Sequence, residues 1–185
     1  TIIKHVLGLP LNWDLYGIYR ETAGLGRTKK DKELIKNAIL RINYHPNSAA
    51  VYATWPESAR NNPMLKEYVE KLIAYKKKLN AEAKKDKYVT TLTGRRVYRE
   101  KKKNCHNGNY FCWMIQGTVA DIINSVCLRL IREGICKDPK PIHDSILAVV
   151  RNDCLVPLKA ATAVLDKFRQ SLLNRTAERS AVVGV

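Results

Sequence analysis

An α+β fold is predicted by three features of this sequence. Four segments carry apolar residues at helical spacing, a β-prone stretch from Tyr88 closes at Thr93-Gly94, and an apolar β-branched run, Ile146 to Val150, follows the pair His143-Asp144. At 185 residues the chain is long enough for one compact domain with a core, with room for one smaller lobe.

The first strong helix is "KKDKELIKNAILRINY", Lys29 to Tyr44, in which good helix formers set Leu34, Ile35, Ala38, Ile39 and Ile42 on an apolar stripe. It should end at His45, because Pro46 pushes its predecessor out of the helical region and has no N–H to donate. Lys32, Lys36, Leu40 and Tyr44 recur every fourth residue, so they form one row on the opposite face. By periodicity alone that row is a solvated face with one tyrosine in it.

A second helix should start at Asn62-Pro63, a capping residue followed by proline at the first helical position. It carries Leu65, Tyr68, Val69, Leu72, Ile73 and Leu79 inward, with Lys76, Lys77 and Lys78 as its basic outer face. In "KYVTTLTGRRVYRE" the residues from Tyr88 to Leu92 favour a strand, Thr93-Gly94 a tight turn, and Val97-Tyr98 the return, so Arg95 and Arg96 leave the turn together. Paired guanidinium groups suit a phosphate backbone, although such a pair is as common on a surface that binds nothing. "QGTVADIINSVCLRLIREG" reads as a core helix over Val119, Ile122, Ile123, Val126, Cys127, Leu130 and Ile131, stopped by Gly134. After the His143-Asp144 hairpin comes a final amphipathic helix, Pro157 to Leu173, and residues 174–185 show no firm pattern.

Charge narrows the partner class. The chain carries 33 Lys and Arg against 17 Asp and Glu, and Lys66 to Lys103 alone holds fourteen basic and five acidic residues. Tyr88, Tyr98 and Tyr110 are interleaved with that charge, and no long apolar face accompanies it, so nucleic acid is the expected polyanion rather than a membrane surface. No stretch is expected to span a bilayer, and the opening "TIIKHVLGLPLNW" is too interrupted for a secretory signal, which implies a soluble intracellular protein. Five cysteines without a C-x-x-C pair indicate reduced thiols; Cys105, His106 and Cys112 lack the second pair that a zinc site needs.

In order along the chain, the Lys32 to Tyr44 row, "TLTGRR", "QGTVADII" and "HDS" together resemble the C-terminal half of family A DNA polymerases, the DNA polymerase I-like group, over about Asp14 to Leu173. That family's fingers helix has the pattern R-x-x-x-K-x-x-x-[F/Y]-x-x-x-Y-G, and this chain has K-x-x-x-K-x-x-x-L-x-x-x-Y-H. The stretch from "DLYGIYRETAG" into this helix looks like phage-type members. The resemblance implies a polymerase palm, an antiparallel sheet with helices, joined to helical fingers, in an incomplete right hand without thumb or first palm strand. It implies fingers over 1–80, palm with the catalytic hairpin over 81–173, and a flexible tail over 174–185.

By the same resemblance Lys36 holds the incoming triphosphate, Lys32 supports it, and Leu40 and Tyr44 border the nucleotide. Arg95 and Arg96 hold DNA phosphates, and Gln116 reads the minor-groove side of primer and template. Asp144 is a catalytic metal ligand, and His143 lies near the primer terminus. The implied chemistry is nucleotidyl transfer with two magnesium ions about 4 Å apart, to which carboxylates are hard ligands. A lysine on a mobile helix would stabilise the departing pyrophosphate.

The chain departs from the family at His45 for glycine, Leu40 for an aromatic, and Ser145 for glutamate. The family's first metal-binding aspartate belongs to a strand earlier than any residue from Thr1 onward. The expectation is therefore a polymerase portion, inactive as this chain alone, that needs an N-terminal fragment or subunit to supply the other aspartate, with primer-template DNA and deoxynucleoside triphosphates as ligands. Its setting would be a host cytoplasm, if phage, or an organelle matrix. A polymerase-derived module kept for nucleic-acid binding or structural support, without catalysis, is the alternative. A metal-dependent nuclease is the weaker third class, since of the acids it would need only Asp144 is well placed.

Overall fold

The hydroxyl of Thr28 accepts the N–H of Asp31 at 3.2 Å and starts a helix that runs from Lys29 to Tyr44, as the periodicity predicts. The computed structural model describes residues 2–98, 110–142 and 145–147. They form α1 (Ile2–Val6), α2 (Leu15–Thr22), α3 (Lys29–Tyr44), α4 (Ser48–Ala53), α5 (Glu57–Asn61), α6 (Pro63–Asp86), β1 (Tyr88–Thr90), β2 (Arg96–Tyr98), α7 (Tyr110–Arg132), β3 (Lys140–Ile142) and β4 (Ser145–Leu147). The α+β expectation is met in this coarse sense, as helices with two small two-stranded sheets. The expected helix over Pro157 to Leu173 lies outside the described residues. Two compact units contain them: residues within Thr1–Val89 and Tyr98–Trp113, and residues within Thr90–Val97 and Met114–Val185.

The first unit is helical. α3 packs on α2 and α4, and α6 packs on α4 and α5. Its core takes Ile35, Ile39 and Ile42 from α3, Trp55 and Ala59, and Leu65, Tyr68, Val69 and Leu72 from α6. Trp55 meets the ring of Tyr19 edge-on, with centroids 4.7 Å apart. Leu34 is 49% exposed, so the apolar stripe of α3 is narrower than expected. Buried Asn43 extends the inward face instead, and its Oδ1 accepts the phenol of Tyr68.

Pro46 has the predicted effect: His45 is extended (φ −70°, ψ 139°) and ends α3, and Asn47 then caps α4 by accepting the N–H of Ala50 at 3.0 Å. Asn62 caps α6 by accepting from Met64 and Leu65, both at 3.1 Å, with Pro63 at the first helical position.

In the second unit the turn after β1 is closed by the N–H of Gly94 on the carbonyl of Thr91 at 3.0 Å, with Gly94 at φ 96°. α7 begins six residues before Gln116, at Tyr110. Ile123, Val126, Cys127 and Leu130 are buried as expected, whereas Ile131 is 47% exposed. Val126, Leu130 and Cys136 form a small core with Ile135 and Ile146 against it. β3 and β4 pair antiparallel, with Ile142 opposite Ser145, so only His143 and Asp144 stand between the paired positions; both lie outside the described residues.

By length and composition α7 could cross a membrane, with a mean hydropathy of 1.3 over its best window, contrary to the expectation that no segment would. Asp121, halfway along it, is ion-paired to Arg95, and the apolar residues named above pack inward, which is how a core helix is used.

Candidate nucleic-acid interface

In the first unit, α3 presents the predicted row. Because Ile35, Ile39 and Ile42 turn inward, positions 32, 36, 40 and 44 fall on its flank: Lys32 and Lys36 are exposed, Leu40 and Tyr44 half-buried. Burial pushes the Tyr44 phenol above its ordinary range, with Cys112 and Tyr16 adding to the shift. Tyr44 would therefore be neutral at physiological pH, a polar ring at the end of a line of two ammonium groups.

The C-terminal end of this helix holds a cation that the sequence pattern assigns to the solvated face. Lys76 is 6% exposed. Its Nζ donates to the carbonyls of Ile42 and His45, each at 3.2 Å, and to Ser48 Oγ at 2.8 Å, and lies 5.1 Å from the centroid of the Phe111 ring. Ser48 Oγ in turn donates to the Ile42 carbonyl at 2.7 Å. A charge at a helix C-terminus meets the negative end of the helix dipole and satisfies carbonyls that the helix leaves open. Burial nevertheless lowers its pKa to about 8, with Cys112 partly opposing the shift. Beside it lies a cleft of about 490 Å³ whose lining includes Lys76, Lys77 and Lys84 and no acidic residue.

In the second unit, Arg95 and Gln116 come close through backbone. Gln116 is exposed on α7, and the Nη2 of Arg95 donates to the carbonyl of the next residue, Gly117, at 3.2 Å. Nε of Arg95 donates to Asp121 Oδ1 at 2.6 Å. The hydroxyl of Thr91 donates to Asp121 Oδ2 at 2.9 Å and accepts the N–H of Arg95 at 3.0 Å, and the hydroxyl of Thr93 also donates to Oδ2. Thr118 completes the contact, accepting the N–H of Leu92 at 3.0 Å. Desolvation alone would raise the carboxyl of Asp121, but hydrogen bonds from Thr93, Arg95 and Thr91 and the Arg95 charge outweigh it and hold the group below its ordinary range. Arg96 is exposed on β2.

Gly117 is where the hairpin meets α7. A Cβ there would stand 2.8 Å from Thr91 Cγ2 and 3.3 Å from Arg95 Nη2, so the side-chain-free position lets the helix and turn approach.

Two residues were missed from the sequence, Lys76 in the first unit and Asp121 in the second. Lys76 stands in the inward register of Leu65, Val69, Leu72, Leu79 and Ala83, and that spacing was the available signal. Asp121 was visible as the single acid amid the apolar residues of "TVADII". Among the described residues no three His, Cys, Asp or Glu come together to hold a metal ion. Both oxygens of Asp121 are occupied by Thr91, Thr93 and Arg95. The predicted metal ligand Asp144 and its neighbour His143 lie outside the described residues.

No protein-family model and no curated protein matches the chain. Among solved structures it is similar in fold to the POL domain of Pol1 from M. smegmatis, solved in complex with DNA primer-template and dNTP. The TM-score is 0.52 at 15% sequence identity, over 95% of this chain and 34% of the other, so the chain spans about a third of that structure's length.

Proposed function

We propose that this chain is the fingers and C-terminal palm portion of a family A DNA polymerase, which extends a primer 3′-hydroxyl on a template. The observation that carries this reading is the α3 row: two exposed ammonium groups one turn apart, with a half-buried neutral tyrosine further along the same face. Lys36 and Lys32 would grip the triphosphate, and Tyr44 would border the nascent pair beside Leu40. Arg95 and Arg96 would hold backbone phosphates, with Gln116 at the minor groove. The likeness in fold to the POL domain, over nearly the whole chain, supports it.

The described residues do not by themselves make a magnesium site. In this reading Asp144 is one magnesium ligand, His143 stands by the primer terminus, and the second carboxylate comes from residues outside this sequence, on an N-terminal polymerase portion. What the chain's own residues contribute is phosphate neutralisation and alignment.

Primer extension with Mg²⁺ tests this. Three samples are compared: the chain alone, the chain mixed with an N-terminal polymerase fragment, and that mixture carrying Asp144→Ala. Extension is expected only in the mixture with Asp144 intact. A stable complex that extends nothing would defeat the reading.

A second reading, a polymerase-derived module that binds nucleic acid without catalysis, is favoured by one arrangement. His45-Pro46 and the Lys76 clamp tie the end of α3 to α4 and α6, beside a cleft carrying three lysines. A helix tied in this way suits a fixed binding face better than a moving one. Salt-dependent binding that persists in Asp144→Ala, with no extension in any sample, is its expected signature.

A further inference from the structure

Arg95 is oriented by an acid 26 positions away rather than left to solvent. Its side chain remains 50% exposed, while that of Asp121 is 16% exposed. Nε and Nη2 are engaged by Asp121 and by the Gly117 carbonyl. A guanidinium carries five N–H donors in a rigid plane, so these two bonds fix the plane and leave the Nη1 edge without a partner among the described residues. The acid is itself fixed: Thr91 and Thr93 both donate to the oxygen that Arg95 Nε does not use. Such a group loses less rotamer freedom when it meets a phosphate than a free arginine would.

We propose that Asp121 is a positioning residue for polyanion recognition, setting the Arg95 guanidinium so that its outer edge meets a nucleic-acid backbone phosphate. The inference rests on reading Arg95 as a phosphate ligand, and extends that role to a residue that touches no ligand.

The sign of the effect separates this role from plain electrostatics. On a chain of formal charge +16, deleting an acid near the surface should tighten binding of any polyanion. If Asp121 positions Arg95, deleting it should weaken binding instead, because an aligned guanidinium–phosphate bond is worth more than one unit of added positive charge.

The measurement is the Kd of the full chain for a fluorescent primer-template duplex across a salt series, without added metal. Asp121→Asn, which keeps the shape and removes the charge, should weaken binding about threefold to tenfold and lower the salt slope by up to about one, as Arg95→Ala should. In the Arg95→Ala background the same change should be neutral or tighten binding, since nothing is left to position. Asp121→Glu should recover part of the affinity. Thr93→Val, which changes no charge and sits at an exposed turn, should weaken binding in the same direction by a smaller factor, and it serves if Asp121→Asn lowers the Tm too far to assay.

Tighter or unchanged binding by Asp121→Asn, or by Thr93→Val where the first variant does not fold, overturns the proposal if Arg95→Ala still weakens binding. If Arg95→Ala leaves binding unchanged, Arg95 is not a phosphate ligand and the inference falls with that reading.

Discussion

Lys76 places an ammonium group where an aliphatic side chain would satisfy the packing, and the consequence is a measurable pH dependence. Burial lowers its pKa in the fold from 10.5 to about 8, so between those values the unfolded chain binds the proton that the folded chain has released. Stability contributed through this residue therefore rises with pH across that window, and below about pH 8 the full cost of burying the charge is present. Comparison with Lys76→Met, both in a Cys112→Ala background because that thiol is coupled to Lys76, cancels the other titrating groups. Between pH 7 and pH 9.5 the stability of the native chain relative to the variant should improve by about 2 kcal/mol in urea unfolding. A difference that is flat with pH would mean the ammonium is solvated in the folded state.

The contact of the β1–β2 turn with α7 depends on one missing methyl group. Alanine at position 117 would gain about 1 kcal/mol of helix propensity, but its Cβ would lie 2.8 Å from Thr91 Cγ2, in a place where Thr91 is 2% exposed and hydrogen-bonded. Overpacking of that kind costs about 1 to 3 kcal/mol, so Gly117→Ala should lower stability by about 1 kcal/mol net and loosen the Arg95–Gly117 bond. A rise in Tm would show that the turn can retreat at no cost. At the same scale it is clear what the sequence could and could not disclose. α3 was legible to its last residue because its helix formers and apolar stripe run unbroken from Lys29 and Pro46 closes it, and the start of α6 because Asn62-Pro63 is a local signal. The start of α7 was not, since "YFCWMI" holds aromatic and sulfur residues with no capping signal. The sequence sets Lys76 in the inward register and Asp121 amid apolar residues but does not disclose their partners, which are distant: Thr91, Thr93 and Arg95 lie 26 to 30 positions from Asp121, and Ile42 lies 34 from Lys76. Polar pairings across such separations leave no period in the sequence. Leu34 and Ile131 were placed inward by periodicity alone, which locates the apolar face of a helix but not its edges.

For the whole chain, the formal charge predicts how the proposed binding of nucleic acid should depend on conditions. Phosphate contacts release condensed counterions, so log K falls in proportion to log salt with a slope of about 0.9 per phosphate neutralised. Lys32 and Lys36 on α3, Lys77 and Lys84 at the cleft, and Arg95 and Arg96 at the turn are exposed, and they would supply several contacts. With about four to six phosphates engaged, affinity for duplex DNA should fall by about 10² to 10³ between roughly 50 and 200 mM salt. Replacing Lys77, Lys78 and Lys84 with glutamine should lower the slope, whereas EDTA or Asp144→Ala should leave it unchanged, because backbone contacts by lysine and arginine need no metal. Both readings of the chain share this behaviour, and they part only at catalysis. A slope near zero would refute both, since the basic excess would then be a solvated face whose charges keep the protein soluble and touch no phosphate.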